Sequence, residues 1–549
     1  MMPLRLRLGL FATALALVAG CVTVETAKAP RGMPRAVPTC THYASPTGVS
    51  TNPGTSASPF RPQDFLQNSS RAVPGNVLCL KDGVYRGDAY MIVPGSGSSF
   101  NGTSSSPITV RAENDGGVFI DGQFARQPMN VYNTQYWDWY GLDLGNSNVS
   151  VAYIHAVSHH NFRRMCFSNI GIPNPASPPN EHVLLIWGAN NSLFEDICAF
   201  GTGRNTYHDY ADGEITHDNV HRRVWVRGEG YPGADAMGQL EYYKYAGGKA
   251  AGNGNSIYEN FIWVYSQEQA IANGWPSIPA AVGMTIRRWD SLRERFRGMI
   301  GYGYSGIPTA YNVNVNWWHG NASAETEGHR DNPGGYNPAD SSTFRRNQWI
   351  DDIKDLFVDA RSSTTAAGWG FSCSYAADCT PEATAQSAFD RMTSITNSGN
   401  PASGWNYPTV VTSNIHECTT FAACPNFYTG IGPSGAQGAR NCYQYQNAVL
   451  QDGTGGTSAI PLWPWPMDSR IKAALTRART AGTGGAALAG TAGTGYAANT
   501  VTSEIVSRFG AIPGACLAGA SGTTPNPPAG LTLTQLWRTL WTQIVGFPA

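Results

Sequence analysis

The sequence predicts an all-β fold built as a parallel β-helix, a solenoid of stacked coils, with a partly helical C-terminal cap region. Two observations lead to this fold class. Charged residues are only 14% of the 549 residues, whereas the chain has 62 glycines, 16 tryptophans and 25 tyrosines, a composition typical of turn-rich β structure. A short pattern also recurs along the middle of the chain, as stacked supersecondary units require.

The recurring pattern is a polar pair, an apolar residue, any residue, Glu or Arg, a polar residue and then an apolar strand. Its copies begin at residues 159, 191, 218, 255, 290 and 341. Since stacked strands must stay in register, the excess length of a long coil has to leave the solenoid as a loop. Long loops are expected at 173–180, 228–238, 247–254, 273–283 and 320–339. Several of these on one side would wall a groove.

The overall charge excludes one class of function. The chain carries 37 Lys and Arg against 38 Asp and Glu, a formal net charge of -1. No nucleic-acid partner is therefore expected, because charge-driven binding to phosphate needs a basic surface. A solenoid grows by adding coils, so one β-helix can span 41–370, followed by a cysteine-containing region at 371–549. We expect a monomer.

The first twenty residues have the features of a bacterial lipoprotein signal peptide. A positively charged start precedes an apolar run at 8–18, and the order Val-Ala-Gly-Cys ending at Cys21 resembles a lipobox. The resemblance implies cleavage before Cys21, a lipid anchor on its thiol, and a tether at 21–40. Val22 after the cysteine predicts the outer membrane. An ordinary signal peptide with a chance cysteine is the alternative, and it would give a cell-surface or secreted protein.

Ten cysteines remain after Cys21, an even number in an oxidising compartment, which favours disulfides. A zinc site is the alternative, but no CxxC pair and no clustered histidines accompany the cysteines. The expected pairs are Cys40–Cys79, Cys166–Cys198, Cys373–Cys379, Cys418–Cys424 and Cys442–Cys516.

The start of the predicted solenoid carries a resemblance. His-Tyr-Ala-Ser-Pro-Thr-Gly at 42–48 and Asn-Pro-Gly-Thr at 52–55 lead into apolar strands at 77–85 and 108–112 and into Val-Phe-Ile-Asp-Gly at 118–122. This order resembles the opening of secreted right-handed parallel β-helix proteins of the pectate-lyase-like superfamily. The resemblance implies a right-handed parallel β-helix and a polysaccharide as ligand or substrate.

The C-terminal region, 371–549, departs from the repeat. Helices are predicted at 467–480 and at about 501–509, with a low-complexity Ala/Gly/Thr segment at 481–499 between them. The run at 461–467 has too many prolines for a helix or a central strand. Its two tryptophans are expected to pin this tail onto the solenoid, with a sugar-binding platform as the alternative.

Ionisable and aromatic residues concentrate between Gly201 and Lys249. In a chain with little charge, this concentration indicates a binding site for an acidic sugar chain, because aromatic rings pack on sugar faces and arginine pairs with carboxylates. Solvated turn residues of three adjacent coils are the alternative interpretation. The predicted substrate-binding residues are Arg204, Tyr207, His208, Arg223, Tyr243 and Arg288.

A second resemblance lies in the same region. Gln-Leu-Glu at 239–241 is followed by Lys244 and Lys249, and Thr-Ile-Arg-Arg at 285–288 lies one coil later. This order resembles polysaccharide lyase family six, which includes chondroitinase B and alginate lyases. The resemblance implies Lys249 or Lys244 as the base, Arg287 as the charge neutraliser or acid, and Glu241 as a candidate calcium ligand. Glutamine replaces the family's first Glu, so a calcium site here would lack one carboxylate.

The residue types suit β-elimination from a uronate, which needs the C5 proton removed, the carboxylate neutralised and the leaving oxygen protonated. A lysine serves as the base only if neighbouring cations or desolvation lower its pKa. We therefore expect an extracellular lipoprotein that acts on acidic polysaccharide as a β-eliminating lyase. A non-catalytic carbohydrate-binding or structural lipoprotein is the alternative.

A glycoside hydrolase is the third interpretation. Asp351 and Asp352 are clustered as in the pectin-hydrolysing enzymes of this fold, but no Asn-Thr-Asp or Gly-His-Gly element accompanies them. Arg-Ile-Lys at 470–472 looks like a further element of that family, yet it falls in a predicted helix. Nothing selects the pair of carboxylates that such an enzyme requires.

Overall fold

The fold is a parallel β-helix, seen in a computed structural model that describes most of the chain from residue 38 to residue 228 and shorter segments beyond. The described residues are 38–172, 174, 181–210, 216, 218–228, 240–244, 256–265, 283–288, 295–303, 312–317, 356–359, 369–370, 381–382, 415–417, 443–447, 457–461, 463–480, 500–509 and 511. The predicted loops fall almost entirely outside these residues.

Two parallel sheets form the solenoid. Sheet A has fourteen strands, which are β1 (His42–Ala44), β2 (Val77–Leu80), β3 (Gly83–Arg86), β4 (Ile108–Ala112), β5 (Val118–Asp121), β7 (Trp137–Tyr140), β8 (Leu142–Ser147), β10 (Asn161–Ile170), β12 (Leu193–Gly201), β14 (Val220–Gly228), β16 (Ile257–Tyr265), β18 (Arg295–Gly303), β20 (Leu356–Asp359) and β23 (Ile415–Glu417). Sheet B has seven, which are β6 (Met129–Tyr132), β9 (Ala152–His155), β11 (His182–Trp187), β13 (Asn205–Tyr210), β15 (Leu240–Lys244), β17 (Gly283–Arg288) and β19 (Asn312–Trp317).

The connectivity is that of a solenoid. From β9 to β19 the described strands alternate between the two sheets, and each pairs in parallel with the strand one coil before and one coil after it. The predicted fold class is therefore confirmed. Sheet A also continues past residue 370, because β23 pairs with β20. Two antiparallel pairs lie outside the solenoid sheets, β21 (Trp369–Gly370) with β22 (Pro381–Glu382) and β24 (Tyr443–Asn447) with β25 (Thr457–Pro461).

A bend divides four long strands of sheet A, β10, β12, β14 and β16. The residue at the bend has a positive φ, 54° at Arg164, 55° at Asp196, 53° at Arg223 and 58° at Asn260. Asn and Asp adopt this left-handed conformation more readily than other non-glycine residues. The bend therefore explains the polar residue that follows Glu or Arg in the repeat. The repeat predicted to begin at 341 lies outside the described residues, and the described strand that pairs with β18 is β20.

Aromatic side chains stack inside the coils from one strand of sheet A to the next. Trp139, Phe162, Phe194 and His221 are fully buried register partners, with successive ring centroids 6.1, 5.0 and 4.8 Å apart and nearly parallel planes. Such stacking adds to the burial of apolar area that holds the coils together.

Two of the predicted disulfides are confirmed. Cys40 is bonded to Cys79, and Cys166 is bonded to Cys198, its register partner on the neighbouring strand. Cys21 and the six cysteines of the other three predicted pairs lie outside the described residues.

Both predicted C-terminal helices are confirmed, and one of them packs on the early coils. A short helix, α1 (Pro62–Leu66), and two 3-10 turns (Asp88–Tyr90 and Ser98–Phe100) lie near the start of the solenoid, whereas α2 (Asp468–Thr480) and α3 (Val501–Phe509) follow the proline-rich run. Arg470 of α2 pairs with Asp115 at 2.6 Å and also with Asp143. Arg477 pairs with Asp143 at 2.7 Å. Arginines of α2, rather than tryptophans, therefore make the polar contacts with the solenoid.

The two tryptophans of this run are buried. Trp463 is 0% and Trp465 is 2% exposed, with ring centroids 5.7 Å apart. A sugar-binding platform needs exposed rings, so this burial argues against that alternative. Among the described residues no helix is long and apolar enough to span a lipid bilayer.

Candidate functional site

Four of the predicted site residues, His208, Glu241, Tyr243 and Arg287, lie in two register columns of sheet B. Side chains alternate between the two faces of a strand, so residues in register on parallel strands share a face. The inward positions hold core residues such as Ala152, Ile154, Leu184 and Ile186. The first outward column begins with Asn130, Tyr153, Leu185 and His208, and its register continues through Glu241, Thr285 and Asn314. The second begins with Tyr132, His155 and Trp187, and its register continues through Tyr210, Tyr243, Arg287 and Asn316.

Partly exposed rings make up the described start of the second column. Tyr132 is 47% exposed, and its ring centroid lies 5.1 Å from that of His155. His155 stacks on Trp187 at 4.5 Å with 17° between the ring planes. Tyr153 of the first column lies 5.3 Å from His155 and donates or accepts a 3.1 Å hydrogen bond with its Nδ1. We call Tyr132, His155 and Trp187 the aromatic column.

The register extends this column toward the predicted catalytic residues. Trp187 pairs with Tyr210, Tyr210 with Tyr243, and Tyr243 with Arg287. Glu241 occupies the neighbouring outward column, between His208 and Thr285. Tyr243, Arg287 and Glu241 are thus brought to one face of two adjacent coils.

The two predicted lysines are placed differently. Lys244 is the last residue of β15, and its register partner is Arg288. Because successive positions of a strand alternate between the two faces of a sheet, Lys244 and Arg288 do not share the register column of Tyr243 and Arg287. Lys249 lies outside the described residues. The base assignment stays a prediction.

Tyr207 and His208 lie on one strand but on opposite faces. Tyr207 is fully buried in the core, and its Oη lies 2.5 Å from Nδ1 of His221. His221 Nε2 in turn lies 3.2 Å from a carboxylate oxygen of Asp209. Burial, and then the charge of Asp209, raise the pKa of Tyr207 well above its usual range. Tyr207 is therefore a neutral core residue, and we do not include it in the proposed site.

His208 lies in an outward position but is only 6% exposed, with Nδ1 3.3 Å from Nε2 of His182. Arg204 is half-buried in the turn before β13, where its backbone N–H donates to the carbonyl of Glu181 at 2.8 Å. Neither side chain is as accessible as Tyr132, and their substrate-binding roles stay predictions.

Arg223 belongs to an ion-pair network on the other sheet. It is 2% exposed, its Nε donates to Asp196 at 2.6 Å, and it lies 3.0 Å from Glu195. Glu195 also pairs with Arg222, and with Arg163 at 3.7 Å. Burial alone would raise the pKa of Glu195, but Arg223, Arg222 and Arg163 outweigh burial and hold that pKa well below its usual range. Arg223 is thus structural in its contacts, and we leave it out of the proposed site.

Among the described residues, the neighbours of Glu241 give no further support to a calcium site. Calcium takes six to eight oxygen ligands, several of them carboxylates. The register neighbours of Glu241 are His208 and Thr285, which bring no second carboxylate. Within the described part of the chain, no group of three or more His, Cys, Asp or Glu side chains is arranged to hold a metal ion. Calcium binding stays a prediction, and no step below depends on it.

Tyr132, His155 and Trp187 were not among the predicted site residues. The sequence carries a signal for them, a four-residue segment that recurs in consecutive strands of sheet B. Its copies are Met-Asn-Val-Tyr132, Ala-Tyr-Ile-His155, Leu-Leu-Ile-Trp187, Tyr-His-Asp-Tyr210 and Leu-Glu-Tyr-Tyr243. The fourth position is aromatic in all five. This short pattern lies between the longer repeats of sheet A, which dominate the periodicity.

Comparison with known proteins finds similarity of fold only. No family model matches the chain, and no curated protein matches it. Solved structures similar to the chain include pectate lyase Pel9A, at 16% identity and a TM-score of 0.35, covering 52% of this chain and 71% of that one. An alginate lyase from Paenibacillus sp. str. FPU-7 is 14% identical with a TM-score of 0.31, covering 47% and 91%. A mannuronic acid specific polysaccharide family 6 lyase from human gut microbiota is 15% identical with a TM-score of 0.23, covering 51% and 74%. Similarity at this level carries no argument about activity.

Proposed function

We propose that the protein binds an extended acidic polysaccharide along the outer face of sheet B and cleaves it by β-elimination. The observation that carries this proposal is the aromatic column, whose register continues through Tyr210 and Tyr243 to Arg287. Neighbouring strands are about 4.8 Å apart, so the column offers one residue per coil at a spacing close to the length of a sugar unit. Rings would pack on the sugar faces, and the guanidinium would pair with a uronate carboxylate.

In the proposed reaction Arg287 binds the carboxylate of the uronate that is cleaved. Pairing with this cation stabilises the negative charge that spreads into the carboxylate when the C5 proton leaves. The proton passes to the amine of Lys249 or Lys244. Its electron pair forms the C4–C5 double bond as the C4–O bond breaks, and the leaving oxygen takes up a proton to become a new reducing end.

The activity test uses the full chain with alginate, polygalacturonate, chondroitin and hyaluronan, and follows the ultraviolet absorbance of the unsaturated product. Arg287→Gln is expected to lower the rate at least about 100-fold, since it removes a charge that acts in the transition state. Arg86→Gln is the matched control, because Arg86 is an exposed arginine of sheet A paired with Asp121. Of Lys249→Ala and Lys244→Ala, only the variant of the true base should lose activity.

Absence of unsaturated product from all four polymers would overturn the lyase proposal. Retention of full activity in Arg287→Gln would overturn the assignment of Arg287. Unchanged rates in both lysine variants would exclude lysine as the base.

A non-catalytic carbohydrate-binding function is the second candidate. It is favoured by the described start of the column, where Tyr132, His155 and Trp187 offer ring faces without a neighbouring lysine or arginine in the same column. Polysaccharide binding that depends on Tyr132 and Trp187, without unsaturated product, would be the expected result for this function.

We also propose that Cys21 carries a lipid anchor that holds the protein at the outer membrane of a bacterium. Support comes from the lipobox-like order before Cys21 and the tether-like composition after it. Labelling with a radioactive fatty acid should mark the wild type and not Cys21→Ser. Label retained by the variant would contradict the anchor.

A further inference from the structure

A pocket of about 180 Å³ lies on the outer face of sheet A in its first coils, away from the columns of sheet B. Its floor comes from two register columns, Thr109–Asp138–Asn161 and Arg111–Tyr140–Arg163. The loop residues Ser105, Ser106 and Pro107 contribute to its wall.

Two arginines of this pocket have unused donors. The Nε atoms of Arg111 and Arg163 are buried without a hydrogen-bond partner. Arg111 donates through its NH1 to the backbone carbonyls of Ala112 at 2.6 Å and Glu113 at 3.2 Å. Among the described residues it forms no ion pair with a carboxylate. Because an uncompensated guanidinium at a partly buried site favours an anion, Arg111 supplies the main attraction.

Arg163 is only partly neutralised. Its carboxylate neighbour, Glu195, lies 3.7 Å away and is shared with Arg222 and Arg223. At 3.7 Å this pair is longer than a hydrogen bond, so Glu195 does not satisfy the Nε of Arg163. Arg111 and Arg163 stand two strands apart, with Tyr140 between them, so an anion on Tyr140 could reach both guanidinium groups.

A buried amide supplies a further polar group. Asn161 is only 5% exposed and donates from Nδ2 to Asp138 at 2.5 Å. Its Oδ1 has no hydrogen-bond partner and is therefore an unused acceptor at the pocket. A ligand that fits both the arginines and this acceptor must carry an anionic group and a hydroxyl donor. A sugar acid has both.

The pocket is also held in shape before any ligand arrives. Cys79 is the register partner of Arg111, and its disulfide to Cys40 fixes the chain segment that brings Pro38 to the pocket edge. Strands and a disulfide thus hold the lining residues, which lowers the entropic cost of binding.

We propose that this pocket binds one uronate unit, with its carboxylate on Arg111 and Arg163 and a hydroxyl on Asn161, as a second carbohydrate site separate from sheet B. It rests on the proposed function only for the class of natural ligand, an acidic polysaccharide. The chemistry of the pocket itself calls for a ligand with an anionic group and a hydroxyl donor, whether or not the protein is a lyase. The unit could be a free sugar or the end of a polymer.

The test titrates the full chain by calorimetry with D-glucuronate and D-galacturonate, and with the methyl ester of galacturonate as an uncharged probe of nearly equal shape. A free uronate should bind, and the ester should bind at least about tenfold more weakly, since it cannot form charged hydrogen bonds with arginine. Equal binding of acid and ester, or no binding of either acid, would overturn the proposal.

Arg111→Gln locates the site. This variant should weaken uronate binding at least about tenfold. Arg126→Gln is the control, because Arg126 pairs with Asp88 and does not line the pocket, and it should leave uronate binding unchanged. If Arg111→Gln fails to fold, as judged by circular dichroism, Ser106→Trp at the pocket wall replaces it. Uronate binding that survives in a folded pocket variant would overturn the location.

Polymer experiments separate this proposal from the lyase proposal. A saturated oligouronate that competes with the free uronate would show that a polymer end can enter, and lack of competition would assign the pocket to the free sugar. In the Arg287→Gln background, Arg111→Gln should still weaken monosaccharide binding at least about tenfold. A chain that yields no unsaturated product but still binds uronate through Arg111 would fail as a lyase and still have the second site.

Discussion

The outer faces of sheets A and B arise from the same coils but use their exposed positions differently. On sheet A, register partners from Arg163 to Arg222 carry alternating charges, and the central carboxylate, Glu195, is only 5% exposed. On sheet B the corresponding outward positions hold Tyr132, His155 and Trp187, and these rings remain partly exposed. The charges of one face pair with one another, whereas the other face offers ring surface to the solvent.

Because of this difference, substitutions on the two faces should affect different properties of the protein, its stability or its affinity for a ligand. Charges that are buried and mutually paired are costly to separate, so changes on sheet A should act mainly on folding. Exposed rings contribute less to stability because they exclude less water, so changes on sheet B should act mainly on ligand affinity. The pocket at Arg111 lies where the charged pattern of sheet A ends without a paired carboxylate.

The largest effect is expected from Glu195→Gln. The substitution leaves Arg163, Arg222 and Arg223 around a neutral amide in a buried setting, and it should lower the free energy of unfolding by about 3–5 kcal/mol. Urea unfolding measures the change. Asp88→Asn is the matched control, since Asp88 is an exposed carboxylate whose pair with Arg126 should contribute about 1 kcal/mol or less. Equal losses in the two variants would mean that the faces do not differ as described.

A pH dependence should arise in the interior that both faces share. His160 is fully buried, accepts a hydrogen bond from Trp139 Nε1 at 3.2 Å and lies 3.0 Å from the carbonyl of Thr134. Burial lowers the pKa of His160 to about 3, against a small opposing effect of the Thr134 carbonyl. The unfolded chain, with an ordinary histidine pKa near 6.5, binds the proton that the folded state excludes.

Stability contributed by neutral His160 is therefore complete above about pH 6.5 and falls by about 1.4 kcal/mol per pH unit between there and about pH 3. Urea midpoints at pH 7, 6, 5 and 4 should decline in the wild type. His160→Gln, although less stable at pH 7, should decline less steeply over the same range. Parallel declines would show that another group is responsible.

The docking of α2 on the solenoid should give an intermediate effect. Asp143 is 2% exposed and pairs with both Arg470 and Arg477 of α2, so Asp143→Asn should cost about 2–3 kcal/mol. Hydrogen exchange should also become faster in α2. The double variant Asp143→Asn/Arg470→Met should lose less free energy of unfolding than the two single variants lose together. Strictly additive losses would contradict a contact between Asp143 and Arg470.

The fold could be predicted because its signals are local and repeated. The polar residue after Glu or Arg marks the left-handed bend at Asp196, Arg223 and Asn260, and the two helices carry clear boundaries. Cys40 and Cys79 were paired correctly from their order in the chain. The copy of the repeat predicted at 341 lies outside the described residues and stays a prediction.

The site was harder to predict because composition does not distinguish the faces of a strand. The charged cluster between Gly201 and Lys249 was noticed, yet Arg223 and Tyr207 in it are buried by pairing and packing that depend on register. Trp187 lies just before the cluster, and its outward position follows from its pairing with His155. Register, which sets the face of each residue, requires knowing which strands are neighbours.

The smallest effect on stability, and the sharpest test of sheet B, is expected from Tyr132→Ala. Tyr132 is 47% exposed, so its removal should change the free energy of unfolding by about 0.5 kcal/mol or less. The affinity of the Tyr132→Ala protein for an acidic polysaccharide should fall several-fold, because a ring that packs on a sugar contributes about 1 kcal/mol to binding. Val84→Ala is the matched control, since Val84 is a 41% exposed apolar residue of sheet A. If the two variants bind polysaccharide equally well, the aromatic column is not the binding surface, and the contrast between the two faces is one of packing alone.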